Sequence, residues 1–151
     1  MRSAGLLLFR RDRGLEVLLG HMGGPMWTRR DAGAWTVPKG EYAPDEDPFC
    51  AAQREFTEET GLVPPQGPVL DLGSVKQRGG KIVTAWAVEG DFDVATLRSN
   101  TFEIEWPPRS GRTARFPELD RAEWFGLEPA REKIIDAQVA FLDRLDELVG
   151  T

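Results

Sequence analysis

Apolar residues recur along this chain with two different periods, and the changes from one to the other outline its elements. Residues 3–10 and 15–22 are apolar, strand-like runs separated by Arg11-Asp12-Arg13-Gly14, a turn sequence that predicts a hairpin. Residues 23–33 form a glycine-rich loop, and Ala34 to Val37 reads as a short strand leading into Pro38-Lys39. Asp47 and Pro48 suit the cap and first position of a helix that Gly61 would stop. Residues 69–76 and 81–89 alternate around Gly79-Gly80 as a second hairpin. Residues 91–99 are polar and read as irregular or briefly helical. Phe102 to Trp106 alternates with period two, placing Glu103 and Glu105 on one face. Pro107 to Arg115 reads as a loop, Ala122 to Phe125 as a strand, and Leu127-Glu128-Pro129 as the start of a helical region. There Val139, Leu142, Leu145 and Leu148 recur at helical spacing and are expected in the core.

The helix that follows Asp47 is unusual in its acids. Glu55, Glu58 and Glu59 stand at i, i+3 and i+4, so their side chains share one face, while Phe49, Ala52 and Phe56 form an adjacent apolar stripe. Each like-charge pair at that spacing costs roughly 0.2–0.5 kcal/mol without a counter-ion. Arg54 offsets part of this cost, and a cation held between the acids would offset more. A solvated acidic face is the usual explanation of such a cluster. Here the acids belong to a longer pattern: Gly40, Glu46, Arg54, Glu55, Phe56, Glu58, Glu59, Gly61 and Leu62. With 16 Gly, 14 Glu and 15 Arg in 151 residues, a shuffled chain would match it with a probability on the order of one in a million.

At these nine positions the chain resembles the Nudix hydrolase family, whose signature G-x5-E-x7-R-E-U-x-E-E-x-G-U (U, bulky apolar) is matched without a departure. The resemblance implies an α/β fold, an α/β/α sandwich with a mixed β-sheet. It implies hydrolysis of a nucleoside diphosphate linked to another moiety, with Mg2+ or Mn2+ as cofactor and a small-molecule nucleotide as substrate. Glu55, Glu58 and Glu59 are then the expected metal ligands, joined by the backbone carbonyl of Lys39, while Gly40, Glu46 and Arg54 support the structure. The general base is expected to be Glu55 or a glutamate outside the motif. Glu118, six residues ahead of Trp124, fits the outside placement best, with Glu103 and Glu105 as second choices and Glu118 also a candidate metal ligand.

Composition narrows the setting. A length of 151 residues fits one domain spanning 1–151, and 40% hydrophobic with 29% charged residues is ordinary for a soluble globule. The net charge of −6 argues against a broad nucleic-acid or membrane surface. Cys50 is alone, so no internal disulfide forms, and a cytoplasmic location is expected for a monomer or homodimer. Trp27 and Trp106 are the tryptophans best placed to stack a base, with Trp35, Trp86 and Trp124 assigned to the core. Arg29, Arg30, Lys76, Lys81, Arg109 and Arg112 are candidate phosphate contacts, and His21 reads as a hydrogen-bonded structural residue. The segment Gln77 to Lys81 lacks the tyrosine or proline that marks the dinucleoside polyphosphate and ADP-ribose branches of the family. Nucleoside triphosphates or dinucleoside polyphosphates are the favoured substrates. A binding-only module and an RNA-end hydrolase are the alternatives, and the four intact motif acids weigh against the first.

Overall fold

A computed structural model describes residues 1–150. Strand β1 (Arg2–Arg10) lies at its centre, buried from Ser3 to Phe9. It pairs in parallel with β6 (Ile82–Glu89) and antiparallel with both β2 (Glu16–Met22) and β4 (Lys39–Glu41). Beyond these lie β3 (Trp35–Thr36) and β9 (Leu119–Gly126) on β2, and β5 (Val69–Lys76) on β6, giving a seven-stranded mixed sheet. A strand covered on both faces needs a continuous apolar run rather than alternation, and Leu6-Leu7-Leu8-Phe9 supplies it.

The two faces of β1 meet different helices. Leu6 and Leu8 join Phe56 of α1 (Pro48–Thr60), with Leu18, Val88 and Phe92. Leu7 and Phe9 share a cluster with Phe141, Leu142 and Leu145 of α3 (Val139–Val149) and with Trp35 and Ile134. A helix on each face makes the expected α/β/α sandwich. Full burial of Phe56 alone contributes about 1.5–3 kcal/mol. Helix α1 starts where Asp47 caps the Cys50 amide at 3.0 Å and ends at Gly61, whose φ of 81° is a left-handed cap.

Five expectations need correction. Lys39–Glu41 is a strand because β1 offers it pairing, with Ser3 opposite Glu41 and Gly5 opposite Lys39, although Lys-Gly-Glu carries no strand signal of its own. The segment read as a loop ends in β8 (Thr113–Pro117), which pairs with β7 (Thr101–Glu105) as a separate two-stranded sheet. The C-terminal helical region is broken: α2 (Leu127–Lys133) stops before Ile134, a 3-10 turn covers Asp136–Gln138, and α3 follows. Leu148 lies near the end of α3 and is 54% exposed. Trp35 is buried, whereas Trp86 and Trp124 are only half-buried at the edge of the α1-side cluster. Among the described residues no helix is long and apolar enough to cross a membrane.

Candidate active site

The acidic face of α1 opens onto a cleft of about 430 Å³ lined by Ser3, Lys39, Gly40, Glu41, Glu55, Glu58, Glu59, Lys81, Asn100 and Glu118. The residues expected to carry the chemistry are thus brought to one place from α1, from β4 and from the residue between β8 and β9. Helical spacing accounts for the first three acids. Glu118 arrives through backbone bonds: the Asn100 amide donates to the Glu58 carbonyl at 2.8 Å, and the Glu118 amide donates to the Asn100 carbonyl at 2.9 Å. The Gly23 amide holds the Glu118 carbonyl from the other side, also at 2.9 Å.

Gly40 is required by the carboxylate beside it. A Cβ at this position would fall 2.0 Å from Glu55 Oε2 and 2.1 Å from its Cδ, far inside van der Waals contact. Glycine therefore lets β4 pass against the Glu55 carboxylate. The neighbouring Lys39 amide donates to Glu59 Oε1 at 3.2 Å.

Arg54 ties the motif together. Its guanidinium donates twice to Glu46, from Nε to Oε2 at 2.9 Å and from Nη2 to Oε1 at 3.0 Å, a bidentate pair. Its Nη1 reaches Glu55 at 2.8 Å and Glu58 at 3.2 Å. The arginine thus anchors the loop before α1 and places positive charge between two of the acids. Among the described residues no three acidic, histidine or cysteine side chains already form a ready-made metal cage. The guanidinium, held between Glu55 and Glu58, partly neutralises them.

Burial sets the electrostatics. Glu55 and Glu59 are 7% and 6% exposed. Removal from water pushes the Glu59 carboxyl up to about 8, with Lys39 pulling it back and Glu118 and Glu55 adding to the rise. Glu55 is raised by burial and by Glu58. Lys39 is lowered by burial and by Lys81. The Ser3 hydroxyl, buried on the cleft wall, has no hydrogen-bond partner. Buried carboxylates made costly by desolvation, an unpartnered hydroxyl and an all-oxygen acidic donor set suit a hard divalent cation and a phosphate.

A second cleft, about 710 Å³, shares Lys39 and Lys81 with the first and is lined further by Trp27, Lys76, Gln77, Arg78 and Asp136. Trp27 also packs against the core, with the Arg30 guanidinium 5.6 Å from its ring centre. Arg29, Trp106 and Arg109 line neither cleft. Glu103 pairs with Arg115 at 3.4 Å, and Glu105 accepts the amides of Arg109 and Gly111, both at 3.1 Å. His21 is buried between the Asp120 carboxylate, 2.8 Å from Nδ1, and the Arg30 carbonyl, 2.7 Å from Nε2. Ser3, Glu41 and Asn100 were not expected at the site. Their only signal is the pairing of β1 with β4 and the bridge between α1 and Glu118, which no local pattern displays.

Known proteins resemble the chain in sequence and in fold. A family model described as the NUDIX domain matches residues 1–145. The asymmetrical bis(5'-nucleosyl)-tetraphosphatase of Rattus norvegicus is 33% identical over 107 residues, covering 62% of this chain and 69% of that protein. The fold is shared with an Ap4A hydrolase of C. elegans solved as a binary complex, at TM-score 0.67 and 23% identity over 97% of each chain. It is shared too with the NUDIX domain of Shewanella oneidensis NrtR in complex with ADP ribose, at TM-score 0.65 and 17% identity over 99% of this chain and 88% of that one. With its motif complete, its acids in one cleft and the family model spanning nearly its whole length, the chain belongs to the Nudix family and is a pyrophosphohydrolase of that family.

Proposed function

We propose that the protein is a magnesium-dependent pyrophosphohydrolase of nucleotides with long phosphate chains, dinucleoside polyphosphates above all. The observation that carries this reading is the junction of the two clefts. An acidic pocket suited to a cation continues, past Lys39 and Lys81, into a larger pocket bearing Lys76, Arg78 and Trp27. A long polyphosphate needs such a sequence of partners: a metal site at the bond to be cut, cations along the chain and an aromatic face for a base. The tetraphosphatase named above acts, by its name, on this class of molecule.

Glu55, Glu58, Glu59 and the Lys39 carbonyl would hold the magnesium, with Glu118 beside them. Bound there, it would neutralise phosphate oxygens and acidify the attacking water. The chain's own groups do the rest. Lys39 and Lys81 hold the phosphates next to the acids, and the Ser3 hydroxyl donates to a phosphate oxygen or to water. Arg54 and Glu46 keep the loop before α1 in place, so that the Gly40 backbone stays against Glu55. Glu118, free of side-chain partners among the described residues, takes the proton as water attacks phosphorus and the bridging P–O bond breaks.

The test is an assay of dinucleoside polyphosphates, nucleoside triphosphates and nucleotide sugars with magnesium and with product identification. Dinucleoside polyphosphates are expected to show the highest kcat/KM. Similar low rates across the panel, or a preference for nucleotide sugars, would overturn the reading.

A further inference from the structure

The hairpin formed by β7 and β8 leaves the body of the protein at the cleft itself. Its ladder begins where Glu118 donates to the Asn100 carbonyl, and both residues line the cleft. It ends where the Trp106 amide donates to the Arg112 carbonyl at 2.9 Å. Between these ends, Phe102 pairs with Phe116 and Ile104 with Ala114. Cross-strand partners share a face, and alternate residues along a strand do too. One face therefore runs from Asn100 and Glu118 through Phe102/Phe116 and Ile104/Ala114 to Trp106/Arg112. At about 3.4 Å per residue it extends roughly 20 Å from the cleft.

Phe102, Ile104, Trp106, Ala114 and Phe116 make the length of this face apolar and half-buried, with Asn100 and Arg112 exposed at its ends, while the opposite face, with Thr101, Glu103, Glu105, Thr113 and Arg115, is exposed. Among the described residues none of Phe102, Ile104, Trp106 and Phe116 packs into the three core clusters. The face is thus not explained by the folding of the body. At its base Phe102 rests close to Gly24, which steadies the hairpin. At its tip the Glu105 carboxylate, accepting the Arg109 and Gly111 amides, fixes the turn from the opposite face. The result is a strip that starts beside the acids and ends in a tryptophan paired with an arginine.

We propose that this strip seats the second nucleoside of a two-ended substrate, its base stacking on Trp106 with Arg112 beside the outgoing phosphates. The assignment rests on the dinucleoside polyphosphate reading, and it separates the two tryptophans that the sequence nominates for stacking. Trp27 meets the nucleotide common to every substrate. Trp106 meets the far end, which a nucleoside triphosphate lacks.

The experiment compares kcat/KM for diadenosine tetraphosphate and for ATP in the wild type, W106A, W106F and R112A, with magnesium. The ratio of the two is expected to fall about tenfold in W106A, the loss of one base stack, through KM rather than kcat. W106F restores most of the ratio, and R112A lowers it by a smaller factor. A wild-type enzyme without preference for the dinucleotide overturns the substrate reading, and this assignment with it. A preference left intact in W106A and R112A, or a fall in W106A carried by kcat, overturns the hairpin assignment alone.

Discussion

The helix α1 and the β7–β8 hairpin both carry acids at strictly regular spacing, and the two sets are treated in opposite ways. Glu55 and Glu59 are buried against β4, and lost hydration raises both carboxyls, Glu59 to about 8. Glu103 and Glu105 stand on the exposed side of the hairpin, one paired with Arg115 and the other capping a turn. Spacing alone does not separate them. What separates them is the element behind: α1 lies on the sheet and its acids are roofed by Lys39–Gly40, whereas the acids of the hairpin face solvent. Regular acids become a site only where the fold gathers them into one cleft and withholds water from them.

The contrast is sharpened first by Glu58→Gln and Glu59→Gln, which are expected to cut turnover by orders of magnitude with the fold preserved, as measured by steady-state rates and circular dichroism. Glu103→Gln is expected to stay within about twofold, because exposed ion pairs contribute little. Next in size, Glu118→Gln is expected to lower kcat by about 10²–10⁴, as loss of a general base does. If Glu105→Gln did the same while Glu118→Gln did not, the base would belong to the hairpin.

Gly40→Ala comes third. Overpacking against Glu55 should destabilise the protein by about 1–3 kcal/mol in denaturant titration and weaken activation by magnesium. Fourth is a dependence on pH. Glu59 holds its proton up to about 8 when folded but releases it near 4.5 when unfolded, so its stabilising contribution is complete at low pH and is lost as pH rises through 8. In chelator, Tm should therefore fall between about pH 4.5 and 8, magnesium should reverse the fall, and Glu59→Gln should flatten it. The smallest effect is expected from Glu105→Gln, less than about 1 kcal/mol, because the charge lost is exposed and the glutamine oxygen still accepts at the turn.

The chain announces α1 in detail, from the Asp47 cap to the Gly61 stop, because caps, periodicity and motif all act within a few residues. The central strand is equally plain, since burial on both faces demands an unbroken apolar run. What stays hidden depends on partners far along the chain. Lys39–Glu41 becomes a strand only because β1 lies alongside. Thr-Ala-Arg-Phe-Pro becomes β8 only because β7 is its complement. Ser3 reads as an ordinary strand residue until β4 and α1 place it on the cleft wall. Glu118 could be nominated from its distance to Trp124, but the Asn100 bridge that delivers it has no mark in the residue pattern. Leu148 shows the converse error: helical spacing indicates a face, but not where along α3 the body of the protein ends.

That Asn100 bridge has a consequence for how such a molecule can change. The two ends of the hairpin are fastened to each other and to the end of α1 before the arm begins. Residues between Thr101 and Pro117 can therefore be lengthened, shortened or replaced while the anchored Glu118 keeps its position. The reacting centre and the arm that reaches outward from it are separable parts, and selection could exchange the second without disturbing the first.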